Sequence, residues 1–172
     1  MSTAVILTVV GSDRPGLTQA IAEAVAAVGG NWLESHLASL AGKYVGSVLV
    51  ELPSERVSTL EDAVQQIDAE GLRVSLVQAG EESERHCCNA MSLEVVGQDR
   101  PGIVRELATA LAGLNVNIEE FVSSLERSSW SGSPLFRVKA RIVLPLERSS
   151  EQIRDALECI SGEIMVDLSD GL

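Results

Sequence analysis

Aromatic residues are scarce in this chain of 172 residues: two tryptophans, one tyrosine and two phenylalanines make up 3% of it. Since 45% of the residues are nevertheless hydrophobic, a core must be built from valine, leucine, isoleucine and alanine. The length fits one medium domain or two small ones. Because small domains bury less of their surface than large ones, we expect two halves that pack together, or a homo-oligomer.

Basic residues are also in short supply. The chain has 13 Lys and Arg against 25 Asp and Glu, which gives a net charge of −12. Residues 1–86 carry −7 and residues 87–172 carry −5, so both halves are acidic. Proteins that bind DNA usually present a basic face to the phosphates. The composition therefore predicts no direct binding to DNA and none to an anionic membrane.

Long apolar runs and a cysteine framework are missing too. No stretch of about 18 apolar residues predicts a membrane-spanning helix. The opening MSTAVILTVVGSDRPG has no basic region before its apolar part and predicts a strand, not a signal peptide. The three cysteines are Cys87, Cys88 and Cys159, an odd number with an adjacent pair, so we expect a cytoplasmic protein without disulfides.

Residues that could carry catalysis or hold a metal are few. Only His36 and His86 are available beside Cys87 and Cys88, and a metal site needs more ligands at workable spacing. A nucleophilic cysteine needs a positioned base, and His86 stands in a polar stretch expected to be a linker. The sequence predicts no catalytic residue, no metal site and no cofactor.

A seven-residue stretch occurs twice: GSDRPGL begins at Gly11, and GQDRPGI begins eighty-six residues later at Gly97. A short apolar segment typical of a strand, AVILTVV or AMSLEVV, precedes each copy. After each copy, apolar residues recur at steps of four, four and three, which predicts one buried helix face. These residues are Leu17, Ile21, Val25 and Val28, and Ile103, Leu107, Leu111 and Leu114.

The rest of each half repeats as well. We predict strand pairs at 31–40 and 43–52 and at 117–126 and 135–144, each followed by a helix and a last strand. Ser149 followed by Gln152 fits a capping box at the start of the final helix. Each half is then β-α-β-β-α-β. The predicted fold class is α+β: two tandem ferredoxin-like domains with antiparallel sheets and helices on one face. Their predicted limits are 1–79 and 89–172, with a linker at 80–88.

The DRPG stretch is an elbow between a strand and a helix. We expect Asp13 or Arg14 at the helix N-cap and Pro15 in the first turn. Gly11 and Gly16 would let other atoms approach the backbone, and Asn31 begins the next strand. The elbow and the Asn form either a polar pocket suited to an amino acid or only a turn and a strand start. The corresponding residues of the second half are Gly97, Asp99, Gly102 and Asn117.

Two βαββαβ halves, each with DRPG after the first strand and an Asn fifteen residues past the Gly, resemble the ACT domain. The resemblance covers nearly the whole chain. The longer second hairpin, RSSWSGSPLFRV, is similar to that of the glycine cleavage system transcriptional repressor family, which is a bare pair of ACT domains. The family implies binding of amino acids in regulatory proteins.

The resemblance also implies a ligand pocket between adjacent ACT domains. The residue before Arg-Pro-Gly and the Asn of the second strand contact the ligand in such pockets, and these roles fall on Asp13 and Asn31, and on Asp99 and Asn117. An Asn is frequent before Arg-Pro-Gly in amino-acid binders, whereas both copies here have Asp. An anionic Asp would repel a ligand carboxylate and attract an ammonium group.

Two further features are candidates for partner binding. Arg137, Lys139 and Arg141 alternate with apolar residues, so all three point to one face of their strand. They form either a docking surface or a solvated face on which Glu94 pairs with one cation. Trp130 stands at the tip of the longer hairpin, where it either folds back onto the domain or belongs to an interface.

Together these features favour a non-enzymatic regulatory protein. It would sense a small amino acid, with glycine as the family's candidate, and control a transcriptional regulator through protein contact. The alternatives are an association module that binds no ligand and a detached regulatory subunit of an enzyme of amino-acid metabolism.

Overall fold

The computed structural model describes residues 1–68, 71–80, 90–127 and 133–170. The chain divides into two compact units, Met1–Ser83 and Glu84–Leu172, and each has its own hydrophobic core. Most of the predicted linker at 80–88 lies outside the described residues, so the predicted domain limits stay a prediction.

Each unit has the same order of helices and strands. The first contains β1 (Ser2–Ser12), α1 (Leu17–Ala27), β2 (Asn31–Leu40), β3 (Lys43–Pro53), α2 (Val57–Asp68) and β4 (Leu72–Gln78), with a 3-10 turn at Ser54–Arg56. The second contains β5 (Ala90–Gln98), α3 (Ile103–Gly113), β6 (Asn117–Arg127), β7 (Pro134–Val143), α4 (Ser150–Glu158) and β8 (Met165–Asp170). The predicted β-α-β-β-α-β order is confirmed in both.

The strands of each unit form one four-stranded sheet. The spatial orders are β2-β3-β1-β4 and β6-β7-β5-β8, and all neighbouring strands are antiparallel. Since β3 lies between β1 and β2, those two strands run parallel and α1 crosses over to connect them. The predicted ferredoxin-like fold class is confirmed.

The cores follow the two periodicities of the sequence. In β1, Val5, Leu7 and Val9 are buried while their neighbours along the strand turn to the other face of the sheet. The buried residues of α1 and α2 join them in one cluster, so both helices cover the same face. The second unit repeats this arrangement with a cluster that includes Leu93, Val95 and the buried residues of α3 and α4.

The predicted helix stripes are confirmed except at one residue. All four stripe residues of the first copy are buried, as are Ile103, Leu107 and Leu111 of the second. Leu114 is only half-buried, and Val116 lies deeper, with 7% of its surface exposed. The predicted capping box is also present: the Gln152 N–H donates to Ser149 Oγ at 3.3 Å, and the Ser149 N–H donates to Gln152 Oε1 at 3.2 Å.

The predicted N-cap at Asp13 or Arg14 is wrong. The helix α1 begins at Leu17, its N-cap is Gly16 with a left-handed φ of 93°, and Pro15 therefore precedes the helix. The strand pairing runs one residue past β1, because the Asp13 N–H donates to Gly42 O at 3.1 Å. The chain then has three residues in which to turn, and glycine supplies the positive φ without a steric cost. Gly102, at 95°, repeats this in the second unit.

None of the described helices is long and apolar enough to cross a membrane.

Candidate functional site

The first elbow borders an open depression of about 630 Å³, lined by residues 13–19 and Tyr44. Tyr44 comes from β3, where it pairs with Gly11 of β1. Its hydroxyl lies 2.7 Å from Thr18 Oγ1, so two hydroxyl groups meet beside the first turn of α1. The N-cap residue Gly16 has no side chain with which to cap this helix, so the first N–H groups of α1 and these hydroxyls provide donors for an anion.

The second elbow contains a different set of polar contacts. Arg100 donates twice to one carboxylate, from Nη1 to Glu106 Oε1 at 2.9 Å and from Nη2 to Oε2 at 2.5 Å. These hydrogen bonds from Arg100 lower the pKa of Glu106 below its ordinary value. In the first unit the residue at the position of Glu106 is Ala20, which has no carboxylate to offer.

The residue that faces the elbow from the neighbouring strand also differs. Phe136 pairs with Gly97 in the second unit, as Tyr44 pairs with Gly11 in the first. Phe136 is buried and has no hydroxyl, so the hydroxyl pair of the first elbow has no counterpart there. The two elbows therefore have the same backbone turn, whereas the side chains beside the turn differ.

Asn31 is exposed at the start of β2, in another depression of about 450 Å³. This depression is lined by Met1, Ser2, Gly29, Asn31, Glu51, Leu52, Pro53 and Glu55. Asn31 pairs with Glu51 of β3, and Glu51 pairs with Ala4 of β1. Asn31 is therefore level with the beginning of β1, while Asp13 follows its end.

The elbow and the Asn of one unit consequently do not share a pocket. Asp13 lies nine residues beyond Ala4 along β1, which corresponds to roughly 30 Å at about 3.3 Å per residue. In the second unit Asn117 is level with Ala90, and Asp99 again lies nine residues further on. The interpretation of each elbow and its own Asn as one pocket is wrong, because α1 and α3 return the chain to the opposite end of the sheet before the Asn.

The fold requires glycine in the repeated stretch for two different structural reasons. A Cβ atom at Gly11 would lie 2.7 Å from Gly71 O, and a Cβ atom at Gly97 would lie 3.1 Å from Ile164 Cγ1. These two glycines allow close packing inside the domain. At Gly16 the space is open, and the positive φ alone requires glycine. Ligand contacts of Gly11, Gly16, Gly97 and Gly102 stay predictions.

Two of the three cations on β7 are paired. Arg137 contacts Glu94, which confirms the predicted pairing, and its Nε donates to Glu126 Oε1 at 3.0 Å. These hydrogen bonds raise the pKa of Arg137. Arg141 Nε lies 3.1 Å from Glu119 Oε2. The contacts favour the solvated, paired face over a docking surface for an acidic partner.

Lys139 lies between these arginines and borders two depressions on the same face, of about 590 and 320 Å³. Partner binding by Arg137, Lys139 and Arg141 stays a prediction. Trp130 lies outside the described residues, as do His86, Cys87 and Cys88. Among the residues that the structure does describe, no group of three His, Cys, Asp or Glu side chains could hold a metal ion.

The sequence analysis missed Tyr44, Thr18 and Glu106. Tyr44 is the sole tyrosine of the chain, which was a usable signal. Glu106 was detectable as a difference between the copies, since the repeat aligns it with Ala20. The residues beside a motif were thus as informative as the motif itself.

Comparison with known families gives a match in each unit. One model described as the ACT domain matches residues 3–76, and another described in the same words matches residues 91–158. Comparison with curated proteins found no match.

Two solved structures resemble the whole chain. An unknown protein from Galdieria sulphuraria is 25% identical and superposes with a TM-score of 0.84, with 100% of both chains covered. A candidate glycine cleavage system transcriptional repressor is 15% identical, with a TM-score of 0.74 and 99% of both chains covered. At that identity the second similarity shows the fold alone.

Proposed function

We propose, since the chain belongs to the ACT-domain family, that it is a non-enzymatic regulatory protein that senses a small amino acid. In this proposal the ligand state is transmitted through protein contact to a transcriptional regulator. Glycine is the first ligand to test, because a structure of the same fold and length is described as a candidate repressor of the glycine cleavage system.

The observation that carries the proposal is the polar depression at the first elbow. It combines an anionic side chain, Asp13, with the Tyr44 and Thr18 hydroxyls at a helix start whose N-cap residue is glycine. A free amino acid has a cationic and an anionic end. Asp13 suits the ammonium group, and the helix N-terminus with its hydroxyls suits the carboxylate.

The position of the asparagines adds a condition to this proposal. Because the elbow and the Asn of one unit lie at opposite ends of its sheet, they contact the same ligand only if they come from different ACT domains. We infer that Asp13 and Asp99 each complete a pocket with an Asn from an ACT domain of a second copy. Ligand binding and association would then be linked.

The charge of the protein supports action through a partner. Both halves are acidic, and two of the three cations on β7 are already paired with carboxylates. Direct binding to DNA phosphates would need a basic surface. A DNA-binding regulator would therefore supply the DNA contact, and this chain would change that regulator's activity.

Calorimetric titration of the full chain with glycine, serine, alanine and larger amino acids tests the sensing role. We expect saturable binding of a small amino acid and none of the larger ones. If no amino acid binds at millimolar concentration, the sensing role is wrong, and an association module without a ligand takes its place.

The partner is tested separately by capture with the purified protein, with and without the amino acid that binds. Recovery of a DNA-binding regulator agrees with the proposal, whereas recovery of an enzyme of amino-acid metabolism indicates a detached regulatory subunit. A gel-shift assay with the pure protein should give no sequence-specific complex.

A further inference from the structure

The two elbows have the same backbone conformation, but the space beside them is filled differently. The N-cap glycines have nearly equal angles, with φ 93° and ψ −6° at Gly16 and φ 95° and ψ −6° at Gly102. A Cβ atom at Gly16 would meet no atom within 4 Å, whereas one at Gly102 would lie 3.8 Å from Glu106 Oε1. A side-chain carboxylate therefore stands beside the start of α3, while the same space at α1 is open.

Arg100 holds this carboxylate in place. Its guanidinium donates to both oxygens of Glu106, at 2.9 and 2.5 Å, and the two side chains are 39% and 32% exposed. Two parallel hydrogen bonds fix the orientation of the groups as well as their distance. Arg105 is close too, since its Nη2 also lies 3.8 Å from the Cβ position at Gly102. After the hydrogen bonds from Arg100, the charge of Arg105 also lowers the pKa of Glu106.

The start of a helix is a favourable place for any carboxylate. The N–H groups of the first turn carry partial positive charge and attract anions. In the proposed function, the start of α1 takes the carboxylate of the ligand, together with the hydroxyls of Thr18 and Tyr44. The second domain has Val104 and Phe136 at these two positions, and neither side chain has a hydroxyl. At α3 the carboxylate beside the first turn comes from the chain itself, as Glu106.

We propose that Glu106 acts as an internal competitor at the second elbow, so that the second elbow binds an amino acid more weakly than the first. This inference rests on the proposed function. A ligand carboxylate that enters the second elbow must displace Glu106 from Arg100 or lie beside a second negative charge, which repels it. The first elbow has Ala20 at the corresponding position, and its methyl group neither competes nor repels.

The charges around the second elbow balance only while Glu106 is ionised. Asp99 and Glu106 together match the positive charges of Arg100 and Arg105. A neutral residue in place of Glu106 would leave one positive charge in excess beside the start of α3. Because that excess attracts an anion, removal of the carboxylate should improve the second elbow both by vacating space and by ending the repulsion.

Exchange of the two corresponding residues tests the proposal. Glu106→Ala gives the second elbow the residue of the first, and Ala20→Glu gives the first elbow the carboxylate of the second. Each variant and wild type are titrated calorimetrically with glycine, serine and alanine. Wild type should have a tighter and a weaker site. Glu106→Ala should tighten the weaker site by roughly fivefold, the factor that a partly exposed ion pair contributes, and Ala20→Glu should weaken the tighter site.

Ala20→Gln is the matched control for the first elbow, because glutamine has nearly the size of glutamate without its charge. We expect Ala20→Gln to bind more tightly than Ala20→Glu. Equal weakening by these two variants would show that bulk, not charge, disturbs the elbow. That result, or a weaker site that Glu106→Ala leaves unchanged, would overturn the proposal.

The reaction of Arg100 with phenylglyoxal tests the ion pair without any amino acid. Glu106→Gln should raise the rate of modification at Arg100 several-fold, as followed by mass spectrometry, because the guanidinium is no longer held by a carboxylate. Glu61→Gln, at an exposed position of α2, should leave that rate as in wild type. An equal rate in wild type and Glu106→Gln would mean that Glu106 does not hold Arg100, and the proposal would fall.

The same titrations separate this proposal from the sensing role. Two equal sites per chain in wild type would overturn the competition and leave the sensing role intact. Binding by Glu106→Ala but not by wild type would contradict sensing by the native chain and support the competition. If neither protein binds any of the three amino acids, both proposals are wrong.

Discussion

The two ACT domains have the same strand order, yet they differ at their elbows and on the sheet faces away from the helices. At the elbow, the second domain holds Arg100 with the Glu106 carboxylate, whereas the first has Ala20 at that position and a Tyr44–Thr18 hydroxyl contact instead. The Glu106 carboxylate thus pairs with Arg100 inside the second domain. The comparison teaches that the two elbows are not two copies of one site.

The sheet faces away from the helices differ in the same way. In the first domain, Ile6 pairs with Leu49 on one side and Val77 on the other. In the second domain, the corresponding pair is Ser92 and Arg141. The residues that face the helices were kept apolar in both copies because they form the cores. The outer faces carry no such constraint, and they diverged into an apolar and a charged surface.

The largest predicted effect concerns Gly46, whose counterpart in the second domain is the buried Val138. A Cβ atom added at Gly46 would lie 1.9 Å from His36 O, and the φ angle of Gly46 is 152°. Gly46→Ala should therefore destabilise the first domain by about 3 kcal/mol or more, through overpacking and backbone strain. Thermal unfolding should show one transition at a much lower temperature.

The matched control is Gly42→Ala, which has a positive φ of 75° but open space around it. Gly42→Ala should lower the free energy of unfolding clearly less than Gly46→Ala does. Equal destabilisation by both variants would show that the close approach of β2 to Gly46 is not what requires glycine there.

The next effect concerns the two asparagines. Asn31→Ala and Asn117→Ala should each remove a hydrogen bond to a charged ligand group, which costs roughly 1.5–3 kcal/mol, or about tenfold to a hundredfold in affinity. Folding should survive, since both residues are exposed at strand starts. Calorimetry of wild type and both variants with the amino acid that binds measures this.

Because the elbows differ, the two variants are not expected to weaken binding equally. Normal binding by both would show that the asparagines are not ligand contacts, even if the sensing role holds. An equal loss in both would contradict the inequivalence of the two elbows.

A smaller effect tests whether the two elbows share the same backbone conformation. Gly16→Ala and Gly102→Ala force a side chain into a left-handed conformation at sites with no closer neighbour than 3.8 Å. Each should cost about 1–2 kcal/mol in its own domain. Gly113→Ala, at the last residue of α3 and in open space, should stabilise instead, because alanine favours helix over glycine. Chemical denaturation measures all three, and a large difference between Gly16→Ala and Gly102→Ala would contradict equivalent elbow backbones.

The smallest effect is the pH dependence of the Arg100–Glu106 contact. Its hydrogen bonds lower the pKa of Glu106 in the folded state. A carboxylate with a lowered pKa contributes stability above its unfolded-state pKa, and this contribution is lost as the pH falls through the folded-state pKa. Wild type should therefore exceed Glu106→Gln in stability at neutral pH, and the difference should shrink in acid.

Denaturant unfolding at pH 7 and in acid checks this, with Glu61→Gln at an exposed position of α2 as the control. A difference between wild type and Glu106→Gln that is the same at both pH values would mean that the charge of Glu106 beside Arg100 does not contribute to stability.

The sequence by itself determined the helices, the strands and the cores of this protein. Alternation along β1 and the four-four-three spacing in α1 are local patterns, and each leaves only one face that can be buried. The Ser149 capping box is local too, since both of its hydrogen bonds join residues three positions apart.

Only the tertiary structure decided which residues meet. The repeated motif suggested that Asp13 and Asn31 contact the same ligand. The structure places them at opposite ends of the sheet, because α1 returns the chain to the end at which β1 begins. The contact of Arg100 with Glu106 and that of Tyr44 with Thr18 depend on how the elbow turns and on the register of β3 against β1. The physical reason is that burial patterns act within one helix or strand, whereas a site is formed by ends of strands and helices that the fold brings together from distant parts of the chain.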